Sequence, residues 1–352
     1  MAMAQLQAVG SCMVVVAALA LAVSCGGVAS AASSPTPLVV PTLQAGSPGS
    51  KVKLPASTPL QTITFDPRQH KRNYQVTCTN GGRRRPCVVT CPSKCPNKCL
   101  AACAYCMTFC MCDLFPGTSC GDPRFTGADG NTFYFHGKGD QDFCIVTDTD
   151  LHINAHFIGN HNPDMKRDFT WIQALGVSFG DHRLYVGARK AVEWDEDEDH
   201  IQITFDGEPV NVDTVKSAQW VSKALPGLSV SRTDIVNAVT VELDGVFTIS
   251  ANAVPITDED SRIHNYGKTG NDSLVHLDLG YKFHALTDDV DGVLGQTYRP
   301  NYANRLNITA KMPIMGGAPK YRSSGLFSPD CAVSRFHRSS AAAGGVAVGF
   351  AS

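Results

Sequence analysis

Cysteine is the side chain most able to do chemistry in this 352-residue chain, which holds fourteen of them. Ten lie between Cys78 and Cys120, and the run C-P-S-K-C-P-N-K-C-L-A-A-C-A-Y-C-M-T-F-C-M-C spans Cys91 to Cys112. Thiols at that density either pair as disulfides or, as thiolates, hold a metal. Cys103-x-x-Cys106 and Cys110-x-Cys112 have spacings a metal could use, but most of the others miss the zinc-ribbon pattern. Disulfides are therefore the expectation, with thiolate metal binding as the rival. The expected set is Cys78, Cys87, Cys91, Cys95, Cys99, Cys103, Cys106, Cys110, Cys112, Cys120, Cys144 and Cys331. Spacing alone does not fix the pairing.

The remaining candidates are weaker. Gly176-Val177-Ser178-Phe179-Gly180 spells a hydrolase nucleophile elbow, which requires a sharp strand-to-helix turn. Here Asp181-His182-Arg183-Leu184-Tyr185-Val186 continues as a strand, which places Ser178 in or beside a hairpin. His152, Asn154 and His156 share one strand face and could hold a transition metal. The commoner reading is a polar outer face opposite Ile153 and Phe157. Glu193-Trp194-Asp195-Glu196-Asp197-Glu198-Asp199 reads as a solvated acidic loop; a loose calcium site and docking against the chain's own basic arm are the alternatives. Arg83, Arg84 and Arg85, with Lys94 and Lys98, are candidates for binding a polyanion, because guanidinium forks match carboxylates. Asn271-Asp272-Ser273 and Asn307-Ile308-Thr309 are N-glycosylation acceptors if the chain is exported.

Several elements must position these residues. Cys12 to Val23 is apolar but too short to span a bilayer, and Ala29-Ser30-Ala31 offers a signal-peptidase site. Residues 1–31 are thus expected to be a signal peptide. Its removal takes Cys12 and Cys25 and leaves twelve cysteines, an even number suited to an oxidising compartment. Residues 32–77 read as a linker rich in Pro, Ser and Thr, 78–120 as a basic cysteine-rich module, 121–335 as a β-sandwich body and 336–352 as a disordered tail. From Ser33 to Cys120 there are ten Lys/Arg against Asp66 and Asp113, while the rest of the chain carries twenty basic and thirty acidic residues. A basic arm on an acidic body suits a polyanionic partner.

The body alternates with period two. Ile201, Ile203 and Phe205 end at Asp206-Gly207. Val239, Val241 and Leu243 lead through Asp244-Gly245 to Phe247, Ile249 and Ala251, which predicts a two-residue hairpin. Val275, Leu277, Leu279, Tyr281 and Phe283 face inward, with His276, Asp278 and Lys282 outward. Only Val212 to Leu225 looks helical. Many strands joined by Gly and Asp turns imply a mainly β protein with a sandwich or barrel-like body.

Three stretches resemble the plant root-cap protein family, sometimes described as related to late-embryogenesis proteins. They are C-P-S-K-C-P-N-K-C from Cys91 to Cys99, G-T-S-C-G-D-P-R-F-T-G-A-D-G-N-T-F-Y-F-H-G-K from Gly117 to Lys138, and G-V-L-G-Q-T-Y-R-P-N-Y from Gly292 to Tyr302. The resemblance implies a secreted protein of root-cap cells and mucilage with no established biochemical activity. In fold, Gly121-Asp122-Pro123 followed by Asp129-Gly130 and an aromatic strand resembles the von Willebrand factor type D domain. Arg124 stands where that family has His, Leu294 where it has Cys, and Gln296 to Arg305 contains no Asp or Glu. These departures weaken the basis for carrying over the self-cleavage of some type D domains or their calcium loop, and fold analogy alone does not transfer function.

The expected protein is secreted, extracellular and non-enzymatic, without a cofactor or metal. Its expected partner is acidic cell-wall or mucilage polysaccharide rather than nucleic acid or, once the leader is gone, membrane. Self-association through disulfides is the rival. A hydrolase using Ser178, or a metal enzyme using His152 and His156, is the more distant alternative.

Overall fold

The computed structural model describes residues 61–64, 75–78, 86–92, 98–110, 112, 115–163, 167–307, 309–310 and 312–337. The cysteine-rich part is built from β1 (Gln61–Thr64), β2 (Gln75–Cys78), β3 (Cys87–Thr90), β4 (Lys98–Ala102) and β5 (Met107–Phe109). The strands β1, β4 and β5 form one small sheet, and β2 pairs with β3 in another. These strands are too short to bury much apolar surface, and cystines supply the interior instead. Cys78, Cys99, Val89 and Ala101 make a cluster walled by Cys87, Cys91, Cys103 and Cys106. That use of sulfur for hydrophobic mass is common in small oxidised modules.

The body follows with β6 (Thr118–Cys120), β7 (Arg124–Thr126), β8 (Thr132–Tyr134), β9 (Gln141–Thr147), β10 (Leu151–Asn160), β11 (Phe169–Phe179) and β12 (His182–Ala188). Next come β13 (Ile201–Phe205), β14 (Glu208–Pro209), β15 (Gln219–Val221), β16 (Leu228–Arg232), β17 (Ala238–Leu243) and β18 (Phe247–Val254). The helix α1 (Asp258–His264), β19 (His276–Phe283), α2 (Ala318–Tyr321) and β20 (Arg322–Ser323) complete it. Two antiparallel sheets result, in the orders β14-β13-β12-β11-β10-β9-β20 and β15-β16-β17-β18-β19-β6-β7-β8. They share one core, in which Ile153, Val177, Val186 and Ile203 of the first sheet meet Val230, Val241, Ile249 and Leu279 of the second. Phe179 packs edge-on against Phe247 across the gap, with centroids 5.6 Å apart. The protein is mainly β, as the alternation implied.

The local expectations fare unevenly. Asp206 and Gly207 both take positive φ (50° and 88°) and link β13 to β14 as a two-residue turn. The Asp244-Gly245 loop is one residue longer than expected: Leu243 pairs with Phe247, and Val246 joins the connection. With Gly245 left-handed (φ 71°), this is the three-residue hairpin form. Val212 to Leu225 is not helical. It contains turns and β15, which pairs with β16, and Ser217 at φ 68° interrupts any helix. The helix that does form, α1, has a capping box in which Thr257 and Asp260 satisfy each other's backbone N–H. Among the described residues, no helix is long and apolar enough to cross a membrane.

His276 was expected to face outward but is buried. A second cluster of Phe169, Trp171, Ile256, Tyr266 and Leu274 lies on that side of the sheets. The His276 ring lies 6.0 Å from Trp171, and its Nδ1 lies 2.9 Å from the Leu274 carbonyl oxygen. Burial holds its pKa below the usual histidine value.

Candidate functional site

The outer face of β9 and β10 is where the chain concentrates buried polar groups. Phe143 through Thr147 are buried without alternation, as are Leu151 through Ala155. Both faces of these strands are therefore covered. The cover is the C-terminal strap from His284 to His337. Val293 and Leu294 donate backbone N–H to the carbonyls of Cys144 and Ile145, Thr147 and Asp291 exchange backbone bonds, and β20 pairs with β9. A disulfide joins Cys144 to Cys331 across 187 residues. Gly292 makes the close approach possible: at φ 108°, a Cβ would lie 2.5 Å from the carbonyl oxygen of Ile145.

Beneath the strap, His152 and Asn154 are fully buried and completely engaged. Arg335 N–H donates to Thr147 Oγ1, which lies 2.9 Å from His152 Nδ1. His152 Nε2 lies 2.9 Å from Asn154 Oδ1, so that nitrogen carries the proton and donates it. The Asn154 amide then donates to the carbonyls of Gly325 and Ser328. Ser323 Oγ lies 3.1 Å from that amide and 2.9 Å from Asp330 Oδ1. Burial pushes the His152 pKa down to about 4, partly offset by its bond to Asn154. The face expected to be polar and solvent-facing is thus an interior one, because the strap covers it. His156, one turn of the pleat further on, is half-buried and bonds Asp142 Oδ1 at 2.8 Å. The two imidazoles are committed to separate partners.

Ser178 lies within β11, directly across from His152 on one side and Arg183 on the other. Gly180 at φ 51° turns the chain into β12, so the residue sits in a hairpin and not at an elbow. Both nitrogens of His152 face Thr147 and Asn154, which leaves that imidazole poorly placed to serve Ser178 as a base.

The acidic loop is more ordered than a solvated turn. Asp199 pairs bidentately with the buried guanidinium of Arg232, at 2.9 and 2.5 Å, and accepts the Asn237 backbone N–H. Burial raises its pKa, but these partners outweigh that and hold the carboxyl below its usual value. Trp194 stacks on His200 with centroids 4.5 Å apart. Asp195, Glu196 and Asp197 remain exposed.

Five disulfides are placed: Cys78–Cys103, Cys87–Cys106, Cys91–Cys99, Cys112–Cys120 and Cys144–Cys331. Cys110 is disulfide-bonded as well, while Cys95 lies outside the described residues. The bond between Cys112 and Cys120 uses the two sulfurs that, with Asp278, form the one metal-like cluster among the described residues. Arg83, Arg84, Arg85 and Lys94 lie outside the described residues, and Lys98 opens β4. Asn271 and Asn307 are both exposed; Asn307 Oδ1 accepts the backbone N–H and the hydroxyl of its own Thr309. Ser273, by contrast, is buried and donates to Val192.

Sequence reasoning did not anticipate the Asp122–Arg167 pair, in which Arg167 Nη1 donates at 3.1 Å from a position 45 residues away. Asp122 is desolvated, yet His136 and Arg167 hold its carboxyl below the usual range. The only local signal was the Gly-Asp-Pro turn itself. Arg124, at the position where type D domains carry His, donates to the Cys112 carbonyl and joins the body to the cysteine-rich part.

These features define a disulfide-braced protein whose body is two antiparallel sheets, with a long C-terminal strap closing one face. Residues 280–336, from the end of β19 through the strap, match the family model described as Root cap. Among curated proteins, none matches the chain.

Proposed function

We propose that the chain is a secreted, non-enzymatic extracellular protein that binds acidic cell-wall or mucilage polysaccharide through its basic cysteine-rich module. The observation that carries this reading is the joining of many intramolecular disulfides with a segment of ten Lys/Arg against two acidic residues. Disulfides persist in oxidising compartments, and a basic surface there meets uronate-rich polymers. Arg83, Arg84, Arg85, Lys94 and Lys98 are the residues assigned to the contact. The commitment of His152 and His156 to structural partners supports the non-enzymatic reading.

The test is retention of the secreted protein on polygalacturonate across a salt series. Exposed charge pairs are screened over a Debye length of about 8 Å at physiological ionic strength. Retention should therefore fall steeply with salt and should drop in R83A/R84A/R85A. Salt-independent retention, or none, refutes the reading.

A further inference from the structure

We infer a second glycan-binding patch, on the body, formed by Asp129, Asn131, Tyr302 and Asn304 and suited to the hydroxyls of neutral sugar units. Two stretches 175 residues apart meet there. Asp129 and Asn131 come from the turn between β7 and β8, and Tyr302 and Asn304 from the loop that follows Gly292 to Gly295. Asn304 Nδ2 donates to Asp129 Oδ2 at 3.0 Å, and Asn131 Nδ2 donates to the same oxygen at 2.8 Å. The Asn131 backbone N–H donates to Oδ1 at 3.0 Å. Thr297 Oγ1, which accepts the Ala128 N–H, locks the two loops together behind the cluster.

The chemistry points to sugar hydroxyls. Asp129 is exposed, and Asn131, Tyr302 and Asn304 are each partly exposed, so the cluster is open to solvent. A carboxylate oxygen has more than one acceptor direction, and each carboxamide has a second N–H. A fixed acceptor flanked by fixed donors matches adjacent hydroxyls, each of which donates one hydrogen bond and accepts others. Tyr302, partly exposed and two residues before Asn304, adds a ring and a phenol to the same loop. The geometry is held before any ligand arrives, which limits the entropy lost on binding. The Asp129 charge repels uronates, so the patch selects neutral units and leaves acidic ones to the basic module.

This inference rests on the reading that the protein binds polysaccharide, and the experiment separates the two. The full-length secreted protein is run in affinity gels containing either neutral galactan or polygalacturonate, beside D129N, Y302A and R83A/R84A/R85A. Thermal melts accompany each variant. The expected result is retardation of the wild type in galactan that is insensitive to salt. D129N and Y302A should weaken it at least fivefold with melting unchanged, and the triple Arg variant should leave it intact. Retardation in polygalacturonate with none in galactan, or equal galactan retardation of wild type, D129N and Y302A, overturns the patch alone. Absence of retardation in both gels overturns the polysaccharide reading as well.

Discussion

At the scale of single residues, one buried neutral imidazole and one ion pair to a buried guanidinium set what the protein tolerates. His152 is neutral in the fold, with its pKa lowered to about 4, while an unfolded histidine titrates near ~6.5. Between those values the unfolded chain takes up a proton that the native one refuses. This contribution is therefore complete above ~6.5 and is lost as the pH falls toward 4, an effect of roughly 3 kcal/mol. Urea titrations at pH 7 and pH 4 should show that loss, and H152Q should be less stable at pH 7 but shallower in its pH dependence. An unchanged slope in H152Q would place the acid sensitivity elsewhere. Asp199 gives a second test. Removing one partner of a buried ion pair strands the other, at a cost of about 3–5 kcal/mol. Because Asp199 is only partly buried, D199A should sit near the lower end, whereas alanine at the exposed Asp195, Glu196 or Asp197 should change stability by less than ~0.5 kcal/mol. Equal effects along the loop would mean that Arg232 is satisfied without Asp199.

At the scale of elements, the strap decides which sequence signals were readable. Alternation told correctly which residues of β18 share a face, and Phe247, Ile249, Ala251 and Ala253 are all buried. It also grouped His152 with Asn154. It gave no means of knowing that residues 320–337 return to cover that face, since periodicity reports which side chains are neighbours and not what lies over them. The same limit hid the burial of His276 beneath the Trp171 cluster. Cysteine count and spacing announced a cross-linked module, but the pairing of Cys144 with Cys331 depends on a return path that no local pattern encodes. The polar pair Asn154–Ser323 was equally illegible for that reason. A disulfide closing a loop of 187 residues removes much unfolded-state entropy, and breaking it should cost about 2–5 kcal/mol. In C144A/C331A the first amides to lose hydrogen-exchange protection should be those of β9 and the strap, ahead of β17 and β18. Uniform loss across both sheets would show that the strap and the sandwich unfold as one unit.

At the scale of the whole molecule, the cysteine inventory separates a soluble binding protein from a cross-linked assembly. Ten described cysteines pair with one another inside the chain, and Cys110 makes an eleventh that is also disulfide-bonded. An odd set must place one bond outside itself. Beyond those eleven the sequence has Cys12, Cys25 and Cys95, and of these Cys95 alone lies outside residues 1–31, the proposed signal peptide. If Cys110 bonds Cys95, every cysteine sulfur from Cys78 to Cys331 is used internally and none of these can link one copy to another. If instead Cys110 joins the Cys110 of a second copy, the product is a covalent dimer with Cys95 free. The internal bond has the entropic advantage, because closing a short loop within one chain needs no second molecule. Under the proposed export, the mature protein should therefore migrate as a monomer on a non-reducing gel, take up no iodoacetamide without reduction, and yield a Cys95–Cys110 cross-linked peptide. A dimer that collapses on reduction, with Cys95 alkylated, would instead favour the assembling protein and would move the polysaccharide contact from one chain to an array of them.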